Sequence, residues 1–339
     1  MPKLSKNQTT LEELCNDFMD HCKLKGLSIK TMDSYEKTIK LFSKFLEEDY
    51  QIIYAKDVEE KHIKNYIEFT TTRGKYSYVS DARTTEINSP QNRKDFGKKV
   101  SPITINNYIR NLKVFFTYLV DNKILKVSPM TKIEFLKAKR KAKDEITNED
   151  FNNIIKAIDI TQFSGFRDYT IINLIFDTGM RLGETLGLKY EDIDLDRKTI
   201  LIPAEINKGK KDRYVFFSNT MTSILRKWFQ FKDRYVDTDV QNIFTSRHGT
   251  VVTVRQFEKN FRVYRDRAGV QKDITPHGLR NNFAKRCLMS GMDIYTLSRI
   301  LGHSSVTVTE KAYLDLTVTD IKKNYQRFSP LENMKKNRR

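Results

Sequence analysis

Six residues in the second half of the chain carry side chains suited to phosphate chemistry: Arg181, Lys208, His277, Arg280, His303 and Tyr313. Arg181 lies in Thr-Gly-Met-Arg-Leu-Gly-Glu and Lys208 in a Lys/Gly-rich turn between two strand-like runs. His277 and Arg280 share Thr-Pro-His-Gly-Leu-Arg, and His303 follows in Leu-Gly-His, ten residues before Tyr313. Such a set, with no carboxylate cluster, is poor equipment for a divalent metal, so neither metal nor cofactor is expected. It suits a phosphodiester. A guanidinium offers a planar, permanently charged fork to two non-bridging oxygens and stabilises the extra charge of a pentacoordinate transition state. A tyrosine hydroxyl, with a pKa of about 10, becomes a nucleophile once cations favour its phenolate and a base takes its proton, work open to the histidines. The leaving 5′-oxygen of a DNA chain needs a proton, and Lys208 on a hairpin tip is placed to deliver one. Lys210 and Lys211 share that turn and carry the same charge. Attack by tyrosine leaves a covalent phosphotyrosine, which keeps the bond energy for rejoining without ATP.

These residues need a scaffold, and the sequence predicts a mainly α protein with a small antiparallel β-sheet. In the first half, Leu11, Leu14, Phe18 and Cys22 recur at helical spacing, as do Tyr35, Ile39, Phe42 and Phe45. Helices are also expected over about 59–70 and 104–122, and four amphipathic helices can close a small core. In the second half, helices are expected over 148–158 and 167–177, and another opens at Gly-Met-Arg. Three short strands follow at 192–195, 199–206 and 213–217, which puts Lys208 at a hairpin tip. Helical patterns then resume at 220–232, 254–268, 277–290, 293–301 and 306–314, with a short one at 320–328. The charge run within 135–147 marks a boundary between a helical domain (1–140) and a second domain (141–330), followed by a basic tail (331–339). Residues 71–102 are polar, with seven Lys/Arg against three Asp/Glu. They read as a solvated, mobile insertion or, alternatively, as a basic segment that orders on a DNA backbone.

A formal charge of +18 suits a polyanionic partner. No run approaches the roughly 18 apolar residues of a membrane helix and the first residues lack a signal-peptide core, so a cytoplasmic, nucleoid-associated protein without a membrane partner is expected. Three cysteines, Cys15, Cys22 and Cys287, have no C-x-x-C spacing, which argues against a disulfide framework or zinc site.

In order and context the six residues resemble the tyrosine recombinases, the lambda-integrase or phage integrase family of site-specific DNA recombinases. Arg181 sits in the family's Thr-Gly-x-Arg-x-x-Glu context, with Glu184 where the first arginine is usually supported. Asn207 to Arg213 resembles its β2–β3 hairpin, His277-Gly278-Leu279-Arg280 its His-x-x-Arg box, and Leu301-Gly302-His303-Ser304 its Gly-His segment. The family most often has nine positions from that histidine to the tyrosine; here Tyr313 stands at ten and Ala312 at nine. The resemblance implies that Arg181 and Arg280 clamp the scissile phosphate and His303 hydrogen-bonds it. Lys208 would then be the general acid, His277 would assist proton transfer, and Tyr313 would form a 3′-phosphotyrosyl link. It also implies a helical DNA core-binding domain and an α+β catalytic domain closing as a clamp on double-stranded recombination sites, and a tetrameric synapse on DNA.

Within the class, an integrase or transposase of a mobile element is expected, motivated by the basic insertion and a Lys/Asn/Ile-rich composition. The alternatives are a chromosome-dimer resolvase, a type IB topoisomerase or telomere resolvase, and a non-enzymatic DNA-binding accessory protein. An accessory DNA-bending or directionality factor is a further candidate partner. Outside the six, Lys30, Thr31, Thr104, Arg110, Arg255 and Lys259 are candidate DNA contacts, weighed against ordinary surface charge.

Overall fold

The computed structural model of the chain describes residues 9–80, 89–138, 145–207, 209, 211–237, 239–313, 325 and 330, the backbone alone for 311–313. Lys208, Lys210, the expected helix over 320–328 and the basic tail over 331–339 thus fall outside the described residues, apart from the isolated position Tyr325. The chain divides into two compact units, Met1–Arg140 and Lys141–Arg339.

The first unit holds α1 (Leu11–Leu24), α2 (Ile29–Tyr50), α3 (Glu60–Thr72) and α4 (Pro102–Asp121). Their starts are written in the sequence. Thr10 and Glu13 form a reciprocal capping box on α1, Ser28 caps α2, and Ser101 caps α4 with Pro102 in the first turn. The predicted apolar stripes meet in one core, where Phe18, Phe42, Phe115 and Phe116 are fully buried. Asn111 of α4 crosses that core, its Nδ2 donating to Thr38 Oγ1 at 2.9 Å and Ser34 O at 3.0 Å on α2. A buried amide that finds partners only at this spacing fixes the register of the two helices.

The described parts of the insertion are not a free loop. Tyr78 donates its hydroxyl to Glu48 at 2.7 Å and packs edge-on against Phe69, while Lys44 Nζ donates to Val79 O at 2.9 Å. Gly74 pairs with Lys99 in a β-bridge, and a Cβ on Gly74 would lie 2.6 Å from Gly97 Cα. Only a glycine at 74 allows the backbones this close, while Gly97 is fixed by its left-handed φ of 71°.

The second unit orders α5 (Asn148–Lys156), α6 (Phe163–Thr178), α7 (Leu182–Gly187), β1 (Ile193–Asp194), β2 (Thr199–Ile202), β3 (Arg213–Phe216), α8 (Asn219–Lys232), α9 (Val254–Arg267), α10 (Pro276–Met289), α11 (Ile294–Leu301) and α12 (Val306–Tyr313). The antiparallel sheet runs β1-β2-β3, with Ile200 opposite Val215 and Ile202 opposite Arg213. Ile200, Ile202 and Val215 face the core at 0% exposure, and Tyr214 and Phe216 point outward at 58%, the period-2 alternation of a sheet covered on one side. β2 stops at Ile202 rather than running to 206, because Pro203 cannot donate to the ladder. Beneath the sheet, α6 and α8 pack around Trp228, whose indole donates to Ile243 O at 3.2 Å. Asp168, itself buried, is held by Arg167, Asn260 and Tyr264.

Candidate active site

Two left-handed glycines set the geometry. Gly179 ends α6 at φ 68° and Gly302 ends α11 at φ 63°, conformations that other residues rarely adopt. At Gly179 a Cβ would lie 2.3 Å from Phe283 Cδ1; at Gly302 it would lie 2.8 Å from Arg213 Cδ and Nε. The turns therefore bring carbonyl oxygens close to long cationic side chains. Arg280, 2% exposed on α10, donates through Nη1 to Gly179 O at 2.8 Å and through Nη2 to Leu301 O at 2.7 Å. Arg181, the N-cap residue of α7, donates through Nη2 to Gly302 O at 3.2 Å and through Nη1 to Glu184 Oε1 at 2.7 Å.

Glu184 is 2% exposed and serves two arginines. Its carboxylate also accepts from Arg213, at 3.1 Å on Oε1 and 2.6 Å on Oε2, and from the Arg181 backbone N–H at 3.0 Å. Burial pushes its pKa up, but the hydrogen bonds and charge of Arg213, with those of Arg181, outweigh burial and leave it lowered. Arg213 further donates Nε to Ile300 O at 3.2 Å, tying the start of β3 to the end of α11.

His303 completes the cluster. Its Nε2 lies 3.1 Å from Arg280 Nη2, and its Nδ1 lies 2.7 Å from Thr309 Oγ1 on α12. A guanidinium can only donate, so Nε2 accepts, and the proton of the neutral ring belongs on Nδ1, facing Thr309. Burial, then the charges of Arg280, Arg181, Arg213 and His277, lower its pKa to about 4. His277 is exposed in the first turn of α10, behind Pro276 and the Thr275 cap, close enough for its charge to act on His303.

The structure thus brings together Arg181, Glu184, Arg280 and His303, with His277 beside them. Tyr313 is the last residue of α12, one turn beyond the buried Thr309. The described flanks of the Lys208 turn are closed at their base: Asn207 Nδ2 donates to Pro203 O at 2.7 Å and Lys211 O at 2.9 Å, and Asp212 accepts from Ala204 N at 2.8 Å. A cavity of about 740 Å³ opens beside this base, lined by Arg213, Tyr214, Arg299 and His303 among others. Sequence reasoning passed over Arg213 and Thr309. The signal for Arg213 was the period of β3, which puts it on the inward face with Val215; Thr309 carried no comparable signal.

Among the DNA-contact candidates, Lys30 and Thr104 line a single cleft in the first unit. Thr31 and Thr104 each hydrogen-bond the serine that caps their helix, at 2.9 Å. Arg110 is exposed and donates to Asn107, and Arg255 and Lys259 are exposed on α9. Among the described residues no group of three or more His, Cys, Asp or Glu could hold a metal ion, and no helix is long and apolar enough to cross a membrane.

The small sheet of this mainly helical protein backs a cluster of guanidinium and imidazole groups aimed by two glycine turns, a concentration of hydrogen-bond donors and positive charge that an oxyanion could fill. The chain belongs to the phage integrase family, the tyrosine recombinases, enzymes of site-specific DNA recombination: the phage integrase family model matches residues 144–320 and the phage integrase N-terminal SAM-like domain residues 14–125. It is 25% identical over 324 residues to tyrosine recombinase XerD of Listeria monocytogenes serovar 1/2a, covering 94% of this chain and 99% of the relative. It is also 25% identical to tyrosine recombinase XerC of Leptospira interrogans, covering 95% of this chain and 94% of the relative. In fold it is similar to the Tn1549 transposon integrase in complex with transposon right end DNA, with a TM-score of 0.70 at 18% identity, covering 95% and 100% of the two chains. A lambda integrase tetramer bound to a Holliday junction gives 0.65 at 16% identity, covering 89% and 80%.

Proposed function

We propose that the chain cuts and rejoins duplex DNA at specific sites through a 3′-phosphotyrosyl intermediate. The observation that carries this reading is the convergence of Arg181, Arg280 and His303 on the two glycine turns. Arg181 and Arg280 take the non-bridging oxygens of the scissile phosphate, exchanging carbonyl partners for a charged one, and His303 hydrogen-bonds the same phosphate. Tyr313 Oη forms the new bond to phosphorus as its proton passes to a base, with His277 assisting, and the bond to the 5′-oxygen breaks as Lys208 protonates it. A 5′-hydroxyl from a second strand reverses these steps and expels the tyrosine.

In this reading residues 141–330 perform the chemistry and residues 1–140 grip the core site, with Lys30, Thr31, Thr104 and Arg110 on the first unit and Arg255 and Lys259 on the second as DNA contacts. A tetramer on two paired sites is the working assembly in this reading, and the similar lambda integrase structure is a tetramer bound to a Holliday junction. The biological role is integration or transposition of a mobile element, a reading supported by the basic insertion and the Lys/Asn/Ile-rich composition. Resolution of chromosome dimers is the second reading, favoured by near-full-length relatives named XerD and XerC.

The test uses nicked suicide substrates cut from the ends of the chain's own locus. Wild type is expected to give an SDS-resistant adduct, and Tyr313→Phe is expected to bind without forming one; an adduct in both would remove Tyr313 from the role. Joined ends in a circular product support the mobile-element reading, and exchange confined to chromosomal sites supports resolution. Relaxation of supercoiled plasmid without either product would assign the chain to topoisomerase-like chemistry.

A further inference from the structure

Phosphate binding reverses what the His303 ring must do. Its Nε2 lies 3.1 Å from Arg280 Nη2. A guanidinium only donates and a phosphate oxygen only accepts, so the nitrogen that accepts from Arg280 must become a donor before it can hydrogen-bond a phosphate. A neutral imidazole carries one N–H, so Nδ1 must change in the opposite sense. Burial and the charges of Arg280, Arg181, Arg213 and His277 lower the pKa of the ring to about 4 and oppose a second proton on it.

The partner of Nδ1 therefore decides whether the ring can change. A backbone carbonyl there would only accept and a backbone N–H would only donate, each fixing one tautomer, whereas a hydroxyl does both. Thr309 Oγ1 lies 2.7 Å from Nδ1, on a residue with 0% exposure. Other buried helical threonines of this chain donate to the carbonyl one turn back, Thr170 to Phe166 O at 2.8 Å and Thr178 to Leu174 O at 2.6 Å. Thr309 meets a ring nitrogen. It stands on α12, four residues before Tyr313, while His303 follows the Gly302 turn that ends α11. The bond thus joins the helix that ends in Tyr313 to the arginine cluster.

We propose that Thr309 is a positioning residue whose hydroxyl lets His303 exchange tautomers when the scissile phosphate binds. The inference rests on the recombinase reading and adds to it the partner behind the histidine. Without DNA, Nδ1–H donates to Thr309 Oγ1 and Nε2 accepts from Arg280. With the phosphate in place, water delivers one proton to Nε2 and takes one from Nδ1, so the charge of the ring is unchanged. Nε2–H then donates to a non-bridging oxygen, and the Thr309 O–H donates to the freed lone pair of Nδ1. Thr309 acts through His303 and contributes no atom to the phosphate.

The experiment reads the tautomer directly, by nitrogen-15 NMR of the full chain with ring-labelled histidine. Spectra are recorded on the free chain and on Tyr313→Phe bound to a duplex cut from the chain's own locus, with His303→Gln identifying the His303 signals. The free chain is expected to show Nδ1–H and the complex Nε2–H. Any other combination, protonation of both nitrogens in the complex included, overturns the proposal. Thr309→Val keeps the shape and removes the hydroxyl. It is expected to slow single-turnover adduct formation by roughly 10- to 100-fold at unchanged DNA affinity, the scale of losing the outer partner of a functional histidine. Thr309→Ser restores the hydroxyl and is expected to recover most of the rate. A valine variant with the wild-type rate, or a serine variant as slow as valine, overturns the proposal. The NMR arm uses no Thr309 variant, so it decides the exchange even where valine unfolds the site. A chain that neither binds the duplex nor forms an adduct overturns the recombinase reading instead, so the two failures are separable.

Discussion

Lowering the pH should cost this protein stability through His303. An ordinary imidazole titrates at 6.5, and this one is lowered to about 4 because it is half-buried beside Arg280, Arg181, Arg213 and His277, all able to carry positive charge, while its Nδ1 meets the neutral Thr309 hydroxyl. The unfolded chain therefore binds more protons than the folded one between the two values. Stability rises with pH in that window: it is fully present above about 6.5 and is lost progressively as pH falls towards 4. At about 1.36 kcal/mol per unit the whole window is worth roughly 3 kcal/mol, and the part lost by pH 5 is about 2. Solvent reaches part of the ring, so screening reduces the expected loss to about 1–2 kcal/mol.

The assay is urea denaturation of wild type and His303→Gln at pH 7.5 and pH 5. Other titrating groups affect both proteins equally, so the difference between them isolates this ring. Wild type should lose about 1–2 kcal/mol relative to the variant on going to pH 5. Parallel behaviour, with a relative change below about 0.3 kcal/mol, would show that His303 is not held neutral by these arginines and would refute the electrostatic reasoning.

Gly302→Ala should destabilise by about 2 kcal/mol and lower adduct yield, because it strains a left-handed residue and drives a Cβ against Arg213; wild-type stability by thermal melt would contradict the crowding argument. Arg213→Gln leaves a buried Glu184 with Arg181 alone and should cost about 3 kcal/mol, while the double variant Glu184→Gln/Arg213→Gln should recover a good part of it. Strictly additive losses in that double-mutant cycle would show that the two side chains are not coupled. Adduct formation should proceed equally with and without EDTA, since guanidinium groups supply the positive charge; a tenfold loss on chelation would contradict that assignment.

Much of the scaffold was legible because it is locally encoded. Ser28 and Thr275-Pro276 announce helix starts by their own hydrogen bonding, and the stripes through Phe18, Phe42 and Phe115 announce the first core, although the helix expected from 104 begins at Pro102 behind the Ser101 cap. The cluster was legible as a motif but not as geometry: nothing in the spacing says that Arg280 reaches His303, 23 residues on, at 3.1 Å. Arg213 was invisible for a physical reason. A charged residue at the edge of a hairpin reads as a solvated turn unless its alternation with Tyr214 and Phe216 is followed to its conclusion, which is that the aromatics face out and the arginine faces in. The insertion misled for the opposite reason. Its polar composition suits a free loop, and its order comes from distant partners, Glu48, Lys44 and Phe69, that no local pattern exposes.

The site balances an excess of charge in a particular way. Arg181, Arg213 and Arg280 converge, and among the contacts described here one carboxylate, Glu184, answers two of them. Backbone carbonyls also hold these arginines: Gly179 O, Ile300 O, Leu301 O and Gly302 O, all at or beside the two left-handed turns. Carbonyl dipoles orient a guanidinium without cancelling its charge, so these contacts fix the forks while leaving their charge in place. A carboxylate in place of any of these carbonyls would bind its arginine more strongly and weaken the site's pull on an incoming anion. The arrangement favours preorganised cation over neutral ion pair, and burial together with that charge holds His303 well below the ordinary imidazole value. Glycine at 179 and 302 is required by backbone angle and by close neighbours, and the turns it allows place the Gly179 and Gly302 carbonyls where Arg280 and Arg181 end.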